Sequence, residues 1–135
     1  GVPLTIYGQG GQKRGFLNIK DTLQCVGIAV ENPPKEGEFR VFNQFTETFT
    51  VLDLAHLVER VGTGMGFPVR IENLSNPRIE SETHYFNPTN SALMTLGLKP
   101  HLLTDQVVER MIRRVIDAKE HIDHSIIHPT IKWRQ

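Results

Sequence analysis

Apolar positions recur along this chain with two periods, and the switches between them divide it into elements. Leu4 to Tyr7 is a β-prone run, and Phe16-Leu17-Asn18-Ile19 is a second, alternating one; a glycine-rich loop joins them, which predicts a hairpin-like unit. From Asp21, a side chain suited to N-capping, the helical period takes over, with Leu23, Val26, Ala29 and Val30 along one face. Asn32-Pro33-Pro34 ends that helix, because prolines supply no donor to the ladder. Glu38 to Gln44 is bounded by Gly37 and a polar turn and is rich in aromatic and branched side chains, which predicts a strand.

The second half repeats the alternation. Thr50 is suited to cap a helix over Val51 to Val61, where Val51, Leu54, Ala55, Val58 and Val61 follow helical spacing. Gly62-Thr63-Gly64-Met65-Gly66 comes next. A dinucleotide loop must follow a strand and open a helix, whereas this one closes a helix and precedes the strand Val69-Arg70-Ile71, so it reads as a helix C-cap. Asn87-Pro88 predicts the start of a short helix with Leu93, Met94 and Leu96 inside, stopped by Gly97 with Leu98 as its hydrophobic contact. Thr104 caps a longer helix whose apolar stripe is Val108, Met111, Ile112, Val115 and Ile116. Strand and helix periods alternate along most of the chain, so the class is α/β.

Composition narrows the partners. At 135 residues and 39% apolar, the chain fits one domain with an ordinary core. Fifteen basic residues balance fifteen acidic ones, so no long-range field favours nucleic acid or an anionic membrane, and any anion must be held by local geometry. The single cysteine, Cys25, cannot close an internal disulfide, and its apolar surroundings predict a buried packing role in a reducing compartment. No apolar run approaches the roughly 18 residues of a membrane span, so the chain reads as soluble. It begins at Gly1, directly before a strand and without an initiator methionine, as a piece of something larger would.

Candidate chemistry concentrates in Tyr7-Gly8-Gln9-Gly10-Gly11-Gln12-Lys13-Arg14-Gly15. Three glycines within four positions allow positive φ and close approach to a ligand, and Arg14 adds a planar five-donor fork suited to a diphosphate. A glycine-rich turn beside a solvated arginine accounts for the same residues. Asn43 and Gln44 carry the same ambiguity: at the C-terminal end of a strand they could meet a ligand, or they could simply shape a turn. Asn76-Pro77-Arg78-Ile79-Glu80 is a polar turn carrying a second clamp candidate, Arg78.

Other constellations are weaker. His121, His124 and His128 have helical offsets that suit a metal, but Pro129 interrupts the helix and no cysteine partners them, so a solvated helix end competes. The cluster Arg110, Arg113 and Arg114 is interleaved with Glu109 and Asp117 and reads as a solvated face. None of the serines sits in a GxSxG elbow.

The run Leu4-Thr5-Ile6-Tyr7-Gly8-Gln9-Gly10-Gly11-Gln12-Lys13-Arg14, with Ile19-Lys20-Asp21, resembles a block of the extended short-chain dehydrogenases that modify nucleotide sugars. Within that family, Gln12 to Leu17, Gly37 to Glu47, Asn76 to Glu80 and His84 to Asn87 are similar to the branch that adds sulfite to its sugar. Gly15 fits that branch, since most of the family carries aspartate after the arginine.

The resemblance implies the C-terminal, substrate-binding part of a Rossmann-type enzyme, helices packed with short strands, with residues 1–135 as a nucleotide-sugar-binding domain. It implies that Thr5 and Tyr7 lie near the uracil, that Arg14 and Arg78 clamp the diphosphate, and that Gln12 and Gln44 are further polar contacts to the nucleotide or sugar. The family's chemistry uses NAD to oxidise the C4 hydroxyl, forms a 5,6-ene, adds sulfite at C6 and returns the hydride, with a Tyr-x-x-x-Lys pair and a threonine moving protons. This chain departs there: Tyr7 and Tyr85 are followed four residues later by Gly11 and Thr89. No glycine fingerprint for NAD follows a strand either. The expectation is therefore that NAD belongs to an absent N-terminal half and that this chain alone is inactive, with no catalytic, cofactor-binding or metal residues of its own. UDP-glucose and sulfite are the implied substrates, a homodimer the implied assembly, and bacterial cytoplasm or plastid stroma the implied compartment, without nucleic-acid or membrane partners.

Overall fold

The computed structural model describes residues 2–76 and 86–127. In chain order they form β1 (Leu4–Tyr7), β2 (Lys13–Phe16), α1 (Ile19–Glu31), β3 (Glu47–Thr50), α2 (Val51–Gly64), β4 (Ile71–Leu74), α3 (Ser91–Thr95) and α4 (Asp105–Asp117), followed by 3-10 turns at Lys119–His121 and His124–Ile126. This is the mixed helix and short-strand content expected of the α/β class. Two compact units are present: Gly1–Gln12, Thr50–His84 and Thr104–Gln135 make the first, and Lys13–Phe49 with Tyr85–Leu103 the second.

In the first unit β1 pairs with β4 in parallel, Leu4 opposite Ile71 and Tyr7 opposite Leu74. The predicted hairpin is therefore wrong: β1 and β2 do not pair. The donors at both ends of β1 are taken by β4, with Leu4 N–H bonded to Arg70 O and Gly8 N–H to Leu74 O, each at 2.8 Å. Strand β4 also begins at Ile71, later than the predicted Val69. Parallel strands require a long connection, and α2 lies within it. Thr50 caps α2 as expected, through a reciprocal box in which Asp53 N–H donates to Thr50 Oγ1 at 3.0 Å and Thr50 N–H to the Asp53 carboxylate at 2.9 Å. The glycine-rich segment after it is a helix terminus, with Phe67 N–H returning to Gly62 O at 2.9 Å and Gly66 at φ 86°. Ile6, Ala55, Leu57, Val61 and Val108 are the buried apolar residues. Thr104 caps α4 as predicted, and Arg60 of α2 reaches Asp105 at its first turn at 2.6 Å.

In the second unit β2 pairs with β3, and the rings of Phe16 and Phe49 meet at a tilt of 56° with centroids 5.8 Å apart. The N-cap of α1 is Asn18, whose side chain accepts from Lys20 N–H at 3.0 Å, and Asp21 is instead a fully buried first-turn residue. The predicted strand over Phe16 to Ile19 thus gives way to a strand ending at Phe16 and a helix starting at Ile19. Cys25, Leu93 and Leu98 form the core, with Leu17, Ile28 and Phe42 against it. Burial, assisted by the nearby Asp21 charge, pushes the Cys25 thiol pKa up, as its packing role requires. Helix α3 starts at Ser91 rather than at Asn87-Pro88, and Met94 is exposed. Its stop is as predicted: Gly97 sits at φ 104°, Leu98 N–H returns to Leu93 O at 3.0 Å, and Leu98 is buried.

Two sequence expectations in this unit fail together. Glu38 to Gln44 forms no strand, and the face of α1 carrying Leu23, Val26 and Val30 points to solvent. The buried side of α1 is the one carrying Asp21 and Cys25. Of the segment's apolar side chains Phe42 packs on the core, whereas Phe39 and Val41 are exposed like the outer face of α1.

Candidate functional site

Strand β1 presents its side chains alternately, so Ile6 enters the core at 2% exposure while Thr5 and Tyr7 share the opposite, half-buried face. The glycine ribbon that follows is held by its own chain. Asn73 Nδ2 donates to Gly8 O at 2.7 Å, and Leu52 N–H, in the first turn of α2, donates to Gly10 O at 3.0 Å. Gly8 and Gly10 have φ of 70° and 76°. A Cβ on Gly10 would lie 3.0 Å from Ile6 Cγ2 and 3.2 Å from Leu52 N. The approach of α2 and the positive φ together give Gly10 a structural reason to be glycine.

Gln12 is the most informative side chain in the ribbon. It is 7% exposed, and its Oε1 accepts from no donor among the described residues. A buried acceptor without a donor costs about 1–3 kcal/mol, so a group that supplies one is favoured there. Sequence reasoning named Gln12 by motif alone; its burial could not be read from local pattern.

In the second unit Arg14 lies on β2, exposed, with Nη1 donating to Lys13 O at 2.9 Å. Gln44 is exposed on the segment before β3. Its neighbour Asn43 donates through Nδ2 to Thr89 O at 2.8 Å, a tie across 46 residues of sequence and not a bond within a turn. Because Glu38 to Gln44 is not a strand, the argument that both amides stand at a strand's ligand-facing end lapses. Arg78 lies outside the described residues, as do His84 and His128. Thr5, Tyr7 and Gln12 belong to the first unit, and Arg14 and Gln44 to the second.

A cavity of about 240 Å³ in the second unit is lined by Lys13, Thr46, Glu47, Asn87 and Asn90 among others. None of the predicted site residues among the described ones lines it, although Lys13 stands between Gln12 and Arg14 in sequence. At Gly15 a Cβ would meet Phe45 Cβ at 3.0 Å and Phe45 Cγ at 3.1 Å. Phe45 thus fills the space that an aspartate at this position needs.

The described residues do not fit a dinucleotide. The ribbon Gly8 to Gly11 leads from β1 to β2 and opens no helix, and Gly62 to Gly66 closes α2. His121 and His124 stand on separate 3-10 turns rather than on one helix face. No helix among the described residues is long and apolar enough to cross a membrane.

Comparison with known proteins fixes the fold class first. UDP-glucuronic acid 4-epimerase from Bacillus cereus, solved with UDP-glucuronic acid and NAD, matches with a TM-score of 0.64 at 24% identity, over 85% of this chain and 35% of that one. UDP-N-acetylglucosamine 4-epimerase from Methanobrevibacter ruminantium, solved with UDP-N-acetylmuramic acid, matches with a TM-score of 0.64 at 19% identity, over 85% and 35%. The fold is that of the corresponding part of these Rossmann-type enzymes. No protein-family model matches the chain.

Two curated relatives align with it from end to end and carry one name. UDP-sulfoquinovose synthase, chloroplastic, of Spinacia oleracea is 48% identical over 135 residues, 100% of this chain and 28% of the relative. UDP-sulfoquinovose synthase of Sulfolobus acidocaldarius is 41% identical over 137 aligned positions, 100% of this chain and 35% of the relative. The chain therefore spans about a third of the length of the curated enzymes it matches.

Proposed function

We propose that residues 1–135 are the nucleotide-sugar-binding part of an NAD-dependent enzyme of the UDP-sulfoquinovose synthase type, which joins sulfite to UDP-glucose in sulfolipid biosynthesis. The observation that carries this reading is the 48% identity to the spinach enzyme along every residue of the chain. The lower identity of the 4-epimerases, 24% and 19%, speaks for a synthase and against an epimerase. Phe45 in the space beside Gly15 is a local reason why this chain carries glycine where an aspartate is common in the wider family.

In this reading Arg14 and Arg78 grip the diphosphate, because a guanidinium fork offers paired donors to paired anionic oxygens. Thr5 and Tyr7, which share one face of β1, meet the uracil edge. Gln12 supplies a buried acceptor that a ligand hydroxyl or imide N–H can satisfy, and Gln44 is a further polar contact. NAD, sulfite and the catalytic Tyr-x-x-x-Lys pair belong to polypeptide outside these residues, and the intact enzyme is a homodimer. Residues 1–135 alone bind no NAD and turn over no substrate.

Calorimetric titration of the intact protein with UDP tests the reading. Arg14→Ala and Arg78→Ala each weaken binding by about 1.5–3 kcal/mol, the range for charge-assisted hydrogen bonds. Unchanged affinity in both variants removes the clamp and, with it, the nucleotide-sugar assignment.

A further inference from the structure

We infer that Phe45, seated on Gly15, is a positioning residue for ligand binding: it fixes the strand that carries Arg14 relative to the segment that carries Gln44. This rests on the reading above that Arg14 and Gln44 meet the nucleotide sugar.

All of these residues belong to the second unit. A Cβ on Gly15 would lie 3.0 Å from Phe45 Cβ and 3.1 Å from Phe45 Cγ, inside ordinary van der Waals distance. Gly15 follows Arg14 in the chain, and Phe45 follows Gln44. Consecutive Cα atoms are about 3.8 Å apart, so this one contact keeps Arg14 and Gln44 near enough for their long side chains to meet a common ligand. Alternation along β2 puts the side-chain position of Gly15 on the face opposite Arg14. Phe45 therefore supports the strand from the side away from Arg14.

Phe45 is not free to withdraw. Asn90 Nδ2 donates to Phe45 O at 2.7 Å, Asn43 Nδ2 to Thr89 O at 2.8 Å, and Thr46 N–H to Phe16 O at 2.9 Å, so the chain is tied on both sides of the ring. On the other side of the contact, Arg14 Nη1 donates to Lys13 O at 2.9 Å, which couples the guanidinium to its own strand. A shift of β2 is thereby carried to that group. Paired hydrogen bonds to a diphosphate depend on direction, and a binding constellation tolerates only about 0.5 Å of misplacement. Gly15 has no positive φ, so its backbone would accept a side chain, and it is the space taken by Phe45 that leaves no room for one.

Calorimetric titration of the intact protein with UDP, beside its thermal unfolding, tests this. Gly15→Ala, which pushes β2 off Phe45, and Phe45→Ala, which removes the support, are each expected to raise the Kd for UDP at least about fivefold. Phe45→Leu keeps most of the apolar bulk and is expected to change it by less than about twofold. With Arg14→Ala already in place, Gly15→Ala and Phe45→Ala should each shift the Kd by less than about twofold, because their effect runs through the guanidinium. A contact that only stabilises the fold lowers the Tm and leaves the Kd unaltered, which overturns the inference. A fivefold loss that persists in full without Arg14 overturns it too. If Arg14→Ala and Arg78→Ala both leave UDP affinity unchanged, this inference falls together with the functional reading, whereas weakened binding in Arg14→Ala beside unaltered binding in Gly15→Ala and Phe45→Ala sinks this inference alone.

Discussion

His101 donates twice to Asp21: its ring Nδ1 lies 2.6 Å from Oδ1 and its backbone N–H 2.8 Å from Oδ2. Gln24 Nε2 adds a third donor to Oδ1 at 2.8 Å and also reaches Lys99 O at 3.0 Å. Asp21 is fully buried on α1, so this carboxylate fastens the 99–101 turn to the helix across 80 residues of sequence. Asp21→Ala strands several donors, and we expect it to cost at least about 2 kcal/mol in urea denaturation. His101→Ala keeps the backbone bond and loses a ring that is half exposed, so about 1 kcal/mol is expected. Equal losses in the two variants would contradict the assignment of Asp21 as the hub.

The Glu38–Arg40 pair gives a pH prediction. Arg40 Nε lies 2.6 Å from Glu38 Oε1, and this bond, with the Lys35 backbone N–H on the other oxygen, lowers the Glu38 pKa from its ordinary 4.5 to about 2. A carboxylate with a depressed folded-state pKa contributes stability that is fully present above its unfolded value and disappears as pH falls through the folded one. The bracket around residues 35–40 should accordingly hold above pH 4.5 and open between there and about 2. Carbon-detected NMR titration of the Glu38 carboxyl should show a midpoint near 2, moving toward 4.5 in Arg40→Gln.

Gly10→Ala is expected to destabilise the chain by about 1–3 kcal/mol, since a methyl group there meets both positive φ and the backbone of Leu52. Gly27→Ala, inside α1 with nothing within 4 Å of the new methyl, should instead gain about 0.5–1 kcal/mol. Thermal denaturation of the two variants separates them by sign.

Much of the chain's local punctuation was legible because it depends on chemistry between near neighbours. The caps at Thr50 and Thr104 and the Gly97 stop are of this kind. Pairings that close long loops were not: nothing in Leu4 to Tyr7 says that its partner is Ile71 to Leu74 rather than the next β-prone run. Aspartate suits both the cap and the first helical turn, so the pattern alone does not separate the two; Asn18 takes the cap and Asp21 is buried against His101. Glu38 to Gln44 and the outer face of α1 show the converse case. Their patterns are those of buried elements, and the pattern states a need for a partner layer that these residues do not themselves supply. At the site, motif resemblance could name Gln12, but its burial is set by tertiary packing that no window around it records.

That burial yields the sharpest test of the site. In Gln12→Met the side chain keeps its length and loses the acceptor that has no donor among the described residues, so stability without ligand should hold or rise by up to about 1 kcal/mol in urea denaturation. If the orphan oxygen exists to receive a hydroxyl or imide N–H, the same substitution should weaken UDP or UDP-glucose binding to the intact protein by about 1 kcal/mol, close to a fivefold rise in Kd. The two signs together distinguish a ligand contact from an unsatisfied core amide. A core amide would give the stability gain with unaltered affinity, while a purely structural glutamine would give a stability loss of similar size whether or not nucleotide is present.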